Sequence, residues 1–118
     1  MPSNWRRSSD RAMRIFVPQI ALAVLLLSSP PAVAAPQTHV VVIDRMKFGA
    51  MPAGIRVGDG IRWVNRDLFR HTATAKGGGF DVDLPPGATR STIVRQAGTF
   101  LVNCRYHPAM RATLKVAR

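Results

Sequence analysis

From residue 38 onward the apolar residues of this chain recur with a period of two, and no stretch carries a helical period. Thr38 to Ile43 is a β-branched run. Ile55 to Val57, Ile61 to Asn65, Thr72 to Ala75, Thr89 to Val94, Thr99 to Asn103 and Thr113 to Val116 follow it as further short strands. Turn residues stand between them: Gly58-Asp59-Gly60, the tip Lys76-Gly77-Gly78-Gly79, Pro85-Pro86-Gly87 and Gln96-Ala97-Gly98. Each strand has one apolar face to hide, and with no helix to cover it the sheets must pack on each other. The expected fold is therefore an all-β sandwich of about seven to eight short strands. Ile55, Val57, Ile61 and Trp63 alternate with polar positions on either side of Gly58-Asp59-Gly60, which reads as a β-hairpin. Met46, Phe48 and Met51 lend apolar side chains to the loop after the first strand.

The start of the chain has a different character. Arg6, Arg7, Arg11 and Arg14 lead into an apolar run from Ile15 to Leu27, broken only by Pro18 and Gln19, and Ala32-Val33-Ala34 follows as a small-x-small site. This is the layout of a secretory signal peptide, expected over residues 1–34, and it implies an exported protein. The run is shorter than the roughly 18 apolar residues that suggest a membrane span; an uncleaved leader would act as an N-terminal anchor. Cleavage after Ala34 leaves 84 of the 118 residues, a single domain over 35–118 with a modest core. Its one cysteine, Cys104, has no partner for an internal disulfide. An exported thiol escapes oxidation either as a small buried hydrophobe, the usual fate of a lone cysteine, or by binding a metal.

The neighbours of Cys104 favour the metal. Cys104-Arg105-Tyr106-His107-Pro108-Ala109-Met110 spaces a thiol, an imidazole and a thioether at intervals of three. His71 supplies a second imidazole upstream, in Asn65-Arg66-Asp67-Leu68-Phe69-Arg70-His71-Thr72. Taken singly, each of these residues reads as surface or core. Together they are the donors of a type 1 copper centre, two imidazoles, a thiolate and a weak axial thioether. Structural zinc sites draw on several thiolates and imidazoles and rarely include a thioether. The expected metal ligands are His71, Cys104, His107 and Met110, holding one copper. Phe100, Val102 and Cys104 share a strand face, so the thiol points inward. Backbone N–H groups near His71 are expected to reach its sulfur. His39 lies away from both loops and reads as a surface residue.

Four ligands leave copper no open position for substrate, and a single site passes one electron at a time. The chain is thus expected to be an electron carrier and not an enzyme. The alternative, copper handling or delivery, calls for exchangeable Met- and His-rich segments that this sequence lacks. A third reading is the electron-entry subunit of a larger oxidoreductase. The edge of His107 is the expected electron exit, with Pro108, Ala109, Met51 and Pro52 as an apolar docking patch. Residues 35–118 carry thirteen Lys and Arg against five Asp and no Glu, a formal charge of +8. These charges are dispersed and lack interleaved aromatics, so nucleic acid is not expected as a partner. A monomer is expected, drawn to acidic redox partners (a cytochrome, dehydrogenase or oxidase as donor and acceptor) or to an anionic membrane surface that it does not span.

Three passages carry a family resemblance: Val57 through Asp67 ahead of His71, Leu84-Pro85-Pro86-Gly87, and Gly98 through Met110. With them the chain resembles the small cupredoxins, most closely the amicyanin and plastocyanin-like group, from about Val40 to Val116. The Cys-x-x-His-x-x-Met spacing matches the short ligand loop of amicyanin-like proteins. The resemblance implies a Greek-key β-sandwich, one type 1 copper and electron shuttling in the periplasm. Many family members follow the first ligand histidine with an Asn that ties the two ligand loops together. Thr72 stands there in this chain, and its hydroxyl is expected to take part of that role.

Overall fold

A computed structural model describes residues 14–18, 24–77 and 79–118. Much of the expected leader lies outside these residues; its described parts, 14–18 and 24–34, carry neither helix nor strand. Among the described residues no helix is long and apolar enough to cross a membrane. The strands among them are β1 (Thr38–Asp44), β2 (Lys47–Phe48), β3 (Ile55–Arg56), β4 (Gly60–Asn65), β5 (His71–Lys76), β6 (Asp81–Leu84), β7 (Thr89–Ile93), β8 (Gly98–Asn103) and β9 (Arg111–Ala117). They form two sheets, β2-β1-β4-β7 and β3-β9-β8-β5-β6. The result is an all-β Greek-key sandwich with nine described strands, two more than the turn signals marked out.

Alternation along the strands builds the core. Val41 and Ile43 of β1, Ile61 and Trp63 of β4, Val102 of β8, and Leu114 and Val116 of β9 all turn inward. Trp63 is fully buried, with the ring of Phe48 edge-on at 6.3 Å and that of Phe80 at 5.8 Å. Its indole N–H has no hydrogen-bond acceptor among the described residues. Leaving that group unpaired costs about 1–3 kcal/mol. Burying the roughly 200 Å² of a tryptophan returns about 5 kcal/mol, so the ring stabilises the core on balance.

The expected hairpin about Gly58-Asp59-Gly60 is not one. β3 runs parallel to β9 in the five-stranded sheet, whereas β4 runs parallel to β1 in the other. The turn is a corner between sheets: Asp59 N–H closes it on Arg56 O at 3.0 Å, while Val57 N–H reaches out to Ala117 O at 2.9 Å and Gly58 N–H to Val94 O at 2.8 Å. The Asp59 carboxylate completes it by accepting from Gln37 N–H at 3.0 Å, His39 Nε2 at 2.9 Å and Arg56 N–H at 3.0 Å. Those three bonds, that from Gln37 the largest, hold the Asp59 carboxyl at about 2. His39 is accordingly not a surface residue. Its side chain is only 12% exposed and clasps the start of β1 to this corner.

β1 passes from the Asp59 corner to the far end of the sandwich, pairing Thr38 with Gly60 and Ile43 with Asn65. It then reverses through a two-residue turn, Arg45-Met46, into β2. Both turn residues are left-handed, with φ of 50° and 62°.

Candidate metal centre

At that far end β5 begins with His71, and β8 runs out into Cys104. The segment from Cys104 to Met110 folds back by two backbone bonds, Met110 N–H to His107 O at 2.8 Å and Cys104 N–H to Met110 O at 3.2 Å. The return brings His107 over the buried pair. His71 Nδ1 lies 3.1 Å from His107 Nδ1 and 3.9 Å from Cys104 Sγ, and His107 Nδ1 lies 3.6 Å from the same sulfur. The circle through three atoms so spaced has a radius of about 2.1 Å, close to the length of a metal–imidazole or metal–thiolate bond. His71 and Cys104 are wholly buried and His107 is half-buried. The three residues therefore fit a single metal ion, and two imidazoles with one thiolate are a donor set suited to copper. Met110, the fourth expected ligand, is buried at the end of the same loop, 4% exposed and part of the core.

Asp67, which sequence reasoning assigned no role, orients His71. Its Oδ2 lies 2.7 Å from His71 Nε2, and an ionised carboxylate can only accept. Nε2 therefore carries the ring proton, and the Nδ1 lone pair is turned toward Cys104 and His107. The same carboxylate accepts Arg45 N–H at 2.7 Å and Met46 N–H at 2.9 Å. Burial pushes the Asp67 carboxyl up. The hydrogen bonds from Met46, His71 and Arg45 outweigh this and hold it below the usual carboxylate range.

Asn65, fully buried, shapes the loop that carries Asp67 and His71. Its amide donates to Phe69 O at 2.8 Å, Leu84 O at 2.9 Å and Pro85 O at 3.2 Å, and its Oδ1 accepts Asp67 N–H at 2.9 Å. The Trp63-Val64-Asn65-Arg66-Asp67 segment held the signal for both residues, but only as a marker ahead of the histidine.

Thr72 joins the two ligand loops. Its N–H points at Cys104 Sγ from 3.4 Å, and its Oγ1 accepts Arg105 N–H at 2.9 Å. The hydroxyl thus performs the tie expected of it. Around His107 the surface is apolar: the Phe69 ring stands edge-on at 6.4 Å, and Leu68, Phe69, Tyr106, Pro108 and Ala109 are exposed. Phe69 was not among the expected patch residues. Met51 and Pro52, which were, are half-buried, and Met51 packs against the core. Arg70 forms a two-pronged ion pair with Asp83 beside the patch.

No family model and no curated protein matches the chain. Among solved structures it is similar to amicyanin. A mutant in the Cu(I) form is 27% identical with a TM-score of 0.56, over 67% of this chain and 81% of the other. A second Cu(I) mutant is 28% identical with a TM-score of 0.56, over 70% and 85%. A mutant in the reduced state gives 27%, 0.57, 67% and 81%. A sandwich of amicyanin fold, with two histidines and a cysteine gathered at one end of it, marks the chain as a cupredoxin-like protein.

Proposed function

We propose that this chain is a type 1 copper protein that carries single electrons between redox partners. One observation bears most of the weight: two imidazole nitrogens and a cysteine sulfur converge at bonding distance from one point, on elements braced from both sides. A copper ion held by His71, Cys104, His107 and Met110 would supply a one-electron couple. The remaining work falls to the protein. Asp67 fixes the tautomer and direction of His71, and Thr72 N–H reaches the sulfur. Since β5 and β8 pair through Thr74 and Asn103, two of the donors sit at the ends of rigid strands. Ligands so held need little rearrangement on a change of charge. His107 is the half-buried member, and with Phe69 and Pro108 beside it in an apolar surface it is the natural exit for the electron.

The reading extends to export, with residues 1–34 as a cleaved leader, and to acidic donor and acceptor proteins drawn by the basic surface. The test is the absorption spectrum of purified protein loaded with Cu(II). An intense thiolate-to-copper band in the orange-red, bleached by ascorbate and lost in Cys104→Ser, is the expected result. A colourless protein holding stoichiometric zinc would overturn it.

A further inference from the structure

The hydroxyl of Thr72 does not act alone. Its Oγ1 lies 2.9 Å from Thr74 Oγ1, which in turn donates to Asp81 Oδ1 at 2.8 Å. Thr72, Thr74 and Asp81 lie on neighbouring strands, with Thr74 directly opposite Asp81 in the β5–β6 register. Chemistry sets the polarity of this chain at both ends. A backbone N–H can only donate, so Arg105 N–H gives to Thr72. A carboxylate can only accept, so the Thr74 proton is committed to Asp81. The one arrangement left has the Thr72 proton on Thr74. Each hydroxyl that gives its proton away becomes a better acceptor, so the chain reinforces itself toward Arg105.

From this geometry we propose that Asp81, whose polar partners are Thr74 and Arg105 and none of the candidate metal ligands, is a positioning residue for the metal centre. It terminates a relay, Arg105 N–H to Thr72 to Thr74 to Asp81, that holds the residue after Cys104 against the residue after His71. The proposal rests on the copper reading only in what the held loops are for; the relay belongs to the protein itself. A plainer role for Asp81 is available, since its Oδ1 also lies 3.4 Å from Arg105 Nε. Both side chains of that ion pair are about half exposed, where such pairs contribute roughly 0–1 kcal/mol.

Three variants separate the two roles. Asp81→Ala removes both acceptor and charge, Asp81→Asn keeps an acceptor oxygen without the charge, and Thr74→Val breaks the relay with the ion pair intact. The first measurement is backbone amide hydrogen exchange in metal-free protein, with Leu114 on β9 as the internal check that the fold is retained. In Asp81→Ala and Thr74→Val the Arg105 amide should exchange about three- to fivefold faster, because Thr72 Oγ1 remains its acceptor but loses the partner that fixes and polarises it. Asp81→Asn should stay within about twofold of the parent, and the double variant Asp81→Ala/Thr74→Val should be no worse than either single one. Equal loss in Asp81→Asn and Asp81→Ala would assign the effect to the ion pair and overturn the proposal, as would an unchanged Arg105 amide in Asp81→Ala. The second measurement is the visible band of the copper-loaded variants. Asp81→Ala and Thr74→Val should shift it in the same direction, with Asp81→Asn restoring the parent position; a band unmoved by all three would refute the positioning role. If the exchange pattern holds in a protein that never turns blue, the copper reading alone has failed.

Discussion

Asn65 offers the most quantitative test of how the sandwich holds its metal end. Its side chain makes four hydrogen bonds from a position 1% exposed, and they gather the loop before His71, the end of β6 and the start of Asp67 into one cluster. Asn65→Ala loses all four. At a net value of about 1 kcal/mol each, and with the carbonyl of the exposed residue Phe69 taken as able to find water, the loss is about 3 kcal/mol. In a domain of this size that lowers Tm by roughly 12–24 °C. Asn65→Asp is nearly isosteric and keeps the acceptor for Asp67 N–H, yet it turns an oxygen toward three carbonyl oxygens. At neutral pH it should therefore cost at least as much as alanine. Urea unfolding of the metal-free domain, followed by Trp63 fluorescence, measures both. A loss below about 1 kcal/mol in Asn65→Ala, or an Asn65→Asp variant milder than Asn65→Ala, would show that these bonds do not organise the loop.

Three further outcomes follow from other parts of the molecule. A Cβ on Gly49 would meet Val42 O at 2.8 Å, where Gly49 N–H already bonds, so Gly49→Ala should cost about 1–3 kcal/mol by the same unfolding assay. Asp59 sits at about 2 in the folded protein against an ordinary 3.8. Its contribution is thus fully present above pH 3.8 and disappears as pH falls through 2. Asp59→Asn should remove this part of the acid limb in stability measured from pH 5 downward. Met110→Gln should still bind copper but show a lower reduction potential by voltammetry, because a harder oxygen donor favours Cu(II); an unchanged potential and spectrum would make Met110 core filler.

How much of this was legible in the sequence follows from what is local. The Cys104–His107–Met110 spacing is a short-range pattern, and the inward face of β8 follows from a period of two, so the direction of the thiol could be read directly. His71 needed the segment ahead of it. β6 was missed because Asp81-Val82-Asp83-Leu84 has two residues that disfavour strands and owes its conformation to pairing with β5. β2 is two residues long and exists by its pairing with β1. The false hairpin has a related cause: Gly58-Asp59-Gly60 announces that the chain turns, but not which strand receives it. His39 was invisible as the partner of Asp59, and Asp67 as the partner of the Arg45-Met46 turn, because hydrogen bonds at separations of 20 to 22 residues leave no periodic trace.

The left-handed turn at Arg45-Met46 has a consequence for anyone who would re-engineer the protein. Two-residue hairpin turns with both residues at positive φ favour Asn-Gly, and other side chains bear a steric cost of about 1–2 kcal/mol per residue. In this chain the Asp67 carboxylate offsets that cost by capturing both turn N–H groups while it also aims His71. One carboxylate thus carries two loads, which makes Asp67 nearly immutable for reasons only half concerned with metal. Installing Asn-Gly in the turn would lift one of them. Position 67 would then become a dial on the ligand imidazole, open to Glu, Asn or Gln without loss of the hairpin.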